Sequence, residues 1–234
     1  MNRFGRGSVM LFVGLTIGRL VVDGGFGAFV QQRMRWPLAI ATVVMIVLGL
    51  VDIILALRSD EAEESRSVGP RVGWLLAGPV LVLIAVAPTS LGAAAADRVD
   101  SFEPTRPDDL TELPDEDPFT MRVLDFATAA IWDETGALEG RQVILEGLVV
   151  NDADVPDGFF LTRFLVSCCA ADGIPIKIGV HGADGAFADD DWVRATVTLR
   201  ERSPAAVDGG FVEVDAIDIV VLDEPPASPY ESPF

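Results

Sequence analysis

Three long apolar runs open the chain, and after about residue 119 the apolar positions recur first with helical and then with strand spacing. About 20 predominantly apolar residues suffice to cross a bilayer as a helix. Residues 8–30, 36–57 and 72–95 meet that length. The second run carries no charge between Pro37 and Asp52, and Pro37 suits the first turn of a helix. Trp36 and Trp74 fall near span ends, where indole rings favour the membrane interface. The first run contains Arg19 and Asp23, four apart and so on one helical face. Such an intramembrane polar pair marks a partner-facing position. The plainer reading ends that helix near Val22 and leaves Asp23 among headgroups. No small-x-small cleavage site follows the first run closely, so it reads as a span and not a cleaved leader.

Arginine placement sets the expected orientation. With the N-terminus inside, the inner segments hold Arg3, Arg6, Arg58, Arg66 and Arg71, and the outer loop holds Arg33 and Arg35. The chain is therefore expected to be a multi-pass protein of the cytoplasmic membrane, with its C-terminal part outside.

Residues 97–118 read as an acidic linker, with Pro104, Pro107 and Pro114 and little to bury. Asp117 and Pro118 then read as an N-cap and first-turn proline. Val123, Phe126, Ala127, Ala130 and Ile131 extend a helix from about Phe119 to Asp133. From Arg141 the period changes to two, with Val143, Leu145, Gly147 and Val149 on one face. Further strands are expected over Phe159–Cys169, Ile174–Val180, Trp192–Arg200 and Phe211–Leu222. Five short strands behind a helix, over 119–222, suggest a small antiparallel five-stranded barrel of the OB type, with a β-sandwich as the second choice. Pro225, Pro226, Pro229 and Pro233 mark 223–234 as a disordered tail.

Charge divides the chain at the same place. Residues 1–96 hold 8 Arg against 6 acids, a net +2, and residues 97–234 hold 9 bases against 30 acids, a net −21. An acidic domain of that strength repels nucleic acid, so an OB-type barrel here is a docking or small-ligand module. Lys-Ser/Thr phosphate loops, His-Glu-x-x-His and the nucleophile elbow do not occur. No catalytic residue is therefore assigned. Asp189, Asp190 and Asp191 before Trp192 offer cation ligands, although an acidic turn capping a strand is the simpler reading.

The only two cysteines are adjacent, Cys168 and Cys169, within Ser167-Cys-Cys-Ala-Ala-Asp172. Three readings stand side by side. They are small buried thiols, a common use of cysteine. They form a vicinal disulfide, strained because neighbouring Cα atoms lie about 3.8 Å apart where disulfides usually need about 4.4–6.8 Å. Or they bind a metal, with Asp172 and the single histidine, His181, as further ligands. At a strand end the two thiols are expected to face opposite ways.

The pattern resembles a bacterial permease-subunit family of unknown function. Arg163, Phe164, Cys168, Cys169, Ala170, Ala171 and Asp172 carry the resemblance, with Asp191, Trp192 and Val193 downstream and Gly140, Arg141, Val143 and Gly147 upstream. Gln32, Arg33, Met34, Trp36 and Pro37 resemble the family's basic segment before its second span. The resemblance implies a multi-span permease as partner and a link to divalent-metal handling, zinc included. The leading expectation is thus an accessory subunit of a transport system, whose exported domain docks, gates or handles a ligand or metal. The alternative is an exported thiol redox or metal-binding protein built on Cys168 and Cys169.

Overall fold

The computed structural model describes residues 3–58, 91–98, 101–102, 104–107, 113–183, 185–200, 211–226 and 228–233, and it divides into two units between residues 90 and 91. In the N-terminal unit, helix α1 (Arg3–Val22) and helix α2 (Arg35–Arg58) are long and apolar enough to cross a membrane. Glycines let the two backbones approach closely, as small residues do between membrane helices. A Cβ at Gly7 would lie 2.8 Å from the Gly49 carbonyl, and one at Gly14 would lie 2.9 Å from Ile46 Cγ1. A charged pair joins the helices: Arg6 Nε and Nη2 donate to the two Asp52 carboxylate oxygens at 2.7 and 2.8 Å. Neither residue is a candidate from sequence spacing, because they are 46 positions apart. Arg19 and Asp23 do pair, at 3.2 Å, on exposed side chains. The third apolar segment, 72–95, lies outside the described residues except for Leu91–Ala95.

The C-terminal unit is mainly β. Its described strands are β1 (Phe119–Thr120), β2 (Gln142–Val150), β3 (Gly158–Leu165), β4 (Ile174–His181), β5 (Trp192–Leu199), β6 (Val212–Val221) and β7 (Tyr230–Glu231). They form one mixed sheet in the order β1-β2-β5-β6-β4-β3-β7, with a further β2–β3 pairing. The alternating positions of β2 and β5 point into the main core, where Val143, Leu145, Val193, Ala195 and Val197 meet Phe159, Leu161, Ile176 and Ile178. The short helix α3 (Ala93–Ala96) precedes the sheet, and α4 (Val123–Trp132) lays Val123, Phe126, Ala127 and Ala130 on that core. A second apolar cluster lies behind β2 and β3. It joins Leu148, Val150, Phe160, Phe164 and Val166 to Ala93, Ala96 and Tyr230. β3 is thus buried on both faces, which is why its sequence is a continuous apolar run and not an alternation.

Several expectations need correction. The sheet is mixed and not antiparallel, since β4–β6, β1–β2 and β3–β7 run parallel. Pro118 does not begin the helix. Phe119 and Thr120 pair with Val143 and Ile144, and α4 starts at Val123. Strand β3, expected over Phe159–Cys169, stops at Leu165, short of the cysteines. The segment read as a linker is partly laid on the domain: the Phe102 N–H donates to the Pro175 carbonyl at 2.7 Å, and Trp132 Nε1 to the Pro104 carbonyl at 2.7 Å. The tail read as disordered supplies β7, with Tyr230 and Glu231 buried. Leu91–Ala95, read as the end of a span, packs in the second cluster.

Gly147 shows how tightly β2 and β3 meet: a Cβ there would lie 2.6 Å from Leu161 Cδ2. Leu161 is fully buried at the centre of this contact. Leu161→Ala should cost about 3 kcal/mol, read as a lower urea midpoint for loss of the β signal of the full chain in mild detergent.

Candidate functional site

β3 ends at Leu165, Val166 is buried, and the chain then turns. Asp172 makes the turn. Its Oδ1 accepts the Ser167 N–H at 2.8 Å, and its Oδ2 accepts the N–H groups of Cys168 and Cys169 at 2.9 and 3.3 Å. A single 3-10 turn, Ala170–Asp172, links the two ends, and the Asp172 N–H returns to the Cys169 side chain. This reciprocal cap folds the strand end back on itself.

The consequence for the thiols differs from the strand expectation. Cys168 lies in a bend and Cys169, with extended backbone, caps the 3-10 turn, and their sulfurs converge and stand 3.7 Å apart. Both are free thiols, Cys168 exposed and Cys169 half-buried. Ligand atoms of Cys168, Cys169 and Asp172 all lie within 4.8 Å of one another. Two sulfurs held at about 2.3 Å by one tetrahedral ion stand about 3.7–3.8 Å apart, so the observed spacing already suits such an ion. The Asp172 carboxylate, through its hydrogen bond with the thiol, pushes Cys168 up to about 11. The same thiol hydrogen bond, helped by the backbone N–H donors, holds Asp172 below the usual carboxylate range.

His181 does not belong to this group. It ends β4, whereas the thiol turn leads into the start of that strand at Ile174. Seven residue steps of strand, about 23 Å, separate Ile174 from His181. The residue is buried, 6% exposed. Nδ1 faces Asp157 Oδ1 at 2.7 Å, and Nε2 faces Glu213 Oε1 at 3.0 Å. The hydrogen bond to His181 holds Asp157 below its ordinary value. The acidic run is likewise committed to backbone. Asp189 accepts from Asn151 N–H at 2.8 Å, Asp190 from Ala93 N–H at 2.6 Å, and Asp191 from Ala188 N–H at 2.9 Å.

The other motif residues form a scaffold beside the turn. Arg163 lies over the Trp192 ring at 5.2 Å, and its Nη2 donates to the Ser228 carbonyl at 2.7 Å. Its Nε is 3.8 Å from Glu231 Oε1. Glu231 in turn accepts the Val123 and Leu124 N–H groups at 2.8 Å each, at the start of α4. Burial lowers the Arg163 pKa and raises that of Glu231. Phe164 fills the second cluster. Arg141 donates to the Pro114 carbonyl at 2.7 Å and lies over Phe119 at 4.9 Å. Glu231 was not a candidate from sequence, because it sits in a proline-rich tail without periodicity.

Residues 115–230 match the family model described as the DUF1980 C-terminal domain. No curated protein matches the chain.

The Asp172 carboxylate should restrain Cys168 as a nucleophile, since the thiolate is the reactive form. With the thiol raised to about 11, alkylation by iodoacetamide should be slow at neutral pH and climb steeply towards pH 11. Asp172→Asn removes the charge and should speed alkylation at pH 8 by at least about tenfold, one pH unit of thiolate; mass spectrometry of the labelled peptide reads the rate.

Proposed function

We propose that the chain is an accessory subunit of a membrane transport system, whose C-terminal domain lies outside the cytoplasmic membrane and binds a thiophilic divalent metal at Cys168 and Cys169. The observation that carries this reading is the 3.7 Å spacing of two free sulfurs in a turn organised by Asp172. Thiolates suit a borderline-soft ion of the zinc class. Asp172 spends its oxygens on three N–H groups, so its first role is to hold the sulfurs in place.

Pairings β2–β3, β3–β4, β4–β6, β6–β5 and β5–β2 form a ring. They support a closed, OB-type barrel as the reading of this domain. Its acidity favours a metal or small-ligand role over nucleic acid. The apolar helices α1 and α2 support membrane anchoring, and the arginine count supports an inside N-terminus. The Arg6–Asp52 pair and the Arg19–Asp23 pair are candidate contacts to a multi-span permease.

A thiol redox role fits less well. A thiol raised to about 11 is a scarce thiolate at neutral pH, and a disulfide between neighbouring residues is strained and easily reduced.

Metal analysis of the full chain, purified in detergent and dialysed against Zn2+ or Cd2+, should find one ion per chain. Cys168→Ser and Cys169→Ser should each abolish it. Affinity should rise with pH, because both thiols must lose protons to bind. Stoichiometric metal in the double serine variant would overturn the metal reading. Separately, mild-detergent purification from the native membrane should recover a multi-span permease in constant proportion. Consistent recovery of the chain alone would overturn the subunit reading.

A further inference from the structure

The thiol turn is fastened at both ends by segments distant in sequence. At its entry, the Val166 N–H donates to the Glu231 carbonyl at 2.9 Å. At its exit, Leu91 fills the space that a side chain on Gly173 would occupy. These two fasteners are joined to each other, since the Leu91 N–H donates to the Tyr230 hydroxyl at 3.2 Å. Leu91, Ala93, Ala96, Val166 and Tyr230 share the second apolar cluster. The tail is anchored in turn by Glu231 on the start of α4 and by its parallel pairing with Phe164 and Leu165. A closed circuit therefore runs from Leu91 through Tyr230, Glu231 and Val166 to the thiols, and through Gly173 back to Leu91.

From this circuit we infer that Leu91–Ala96 and Tyr230–Glu231 act together as a latch on the thiol turn, so that latch docking and metal binding at Cys168 and Cys169 favour one another. The inference rests on the metal reading above and adds its regulation. With the latch docked, both ends of the turn are fixed and the sulfurs keep their 3.7 Å spacing. With the latch released, Val166 and Gly173 lose those restraints, and an ion must first order the turn. Binding is then weaker, because preorganisation is lost. An ion that prefers the docked state stabilises it to the same extent, by reciprocity of coupled equilibria. Leu91 is also the first residue of the C-terminal unit.

The test uses the full chain in detergent with Tyr230→Phe, which removes the acceptor of the Leu91 N–H, and Leu91→Ala, which empties the space beside Gly173. Circular dichroism reports that each variant is folded. Without metal, iodoacetamide labelling of the two thiols should be about fivefold faster in each variant, the factor for loss of one ordinary hydrogen bond. Cd2+ affinity should fall by a similar factor. In the wild-type chain, Cd2+ should slow hydrogen exchange at the Leu91 and Val166 amides. Folded variants whose labelling rates and Cd2+ affinities match the wild type would overturn the latch. Thiol-independent Cd2+ binding would instead overturn the metal reading, while the labelling arm still decides the latch.

Discussion

The C-terminal unit depends on one buried carboxylate. Glu231 binds the first two free amides of α4, faces Arg163, and carries the backbone that pairs with the end of β3. Helix N-termini leave amide hydrogens without intrahelical partners, and a carboxylate placed there both accepts them and complements the helix dipole. Taking that charge out of water is costly, and burial raises the Glu231 pKa accordingly. The position is held because two amides and a guanidinium meet it. Two residues of a proline-rich tail thereby fix a helix, an edge of the sheet and the approach to the thiols.

The same device recurs through the domain at smaller scale. Asp172 gathers the amides of the thiol turn, Asp190 accepts from Ala93, Asp189 from Asn151, and Asp117 from Gln142. Asp133 holds Thr135 and Ala137 beyond α4. Short acidic side chains favour such local backbone bonds in turns. Part of the domain's acidity is therefore structural, spent on loops. The carboxylates of the Asp189–Asp191 run are likewise engaged with the backbone.

What the sequence discloses follows periodicity. β2, β4, β5 and β6 fall close to their expected ranges because alternation or apolar runs report burial directly. The apolar length of α1 and α2 reports itself in the same way. Tertiary closures leave no such trace. Tyr230 and Glu231 form a two-residue strand between prolines, ordered by Arg163, β3 and α4 and not by local pattern. The run Phe159–Cys169 looks like one strand, yet Asp172 reaches back and ends it at Leu165. That reversal brings together the two sulfurs that strand geometry would have parted. His181, the only histidine, is a candidate ligand by residue type alone. The length of β4 carries it to the other end of the strand, between Asp157 and Glu213.

Adjacency itself shapes the chemistry of the thiol pair. Neighbouring cysteines offer two sulfurs from one side of an ion, and the third nearby donor, Asp172, is engaged with backbone amides. Closed structural zinc sites use four protein ligands, whereas sites that exchange something keep positions open. Among the described residues, only Cys168, Cys169 and Asp172 come together as such a donor set. A divalent ion held there retains open positions for water or for donors from another molecule. It also sits at a turn whose more exposed sulfur, Cys168, holds its proton tightly at neutral pH. Proton competition and incomplete coordination both favour release over storage. On the proposed metal reading, such a site would suit transfer of an ion to a partner, with the inferred latch setting how firmly the sulfurs are held.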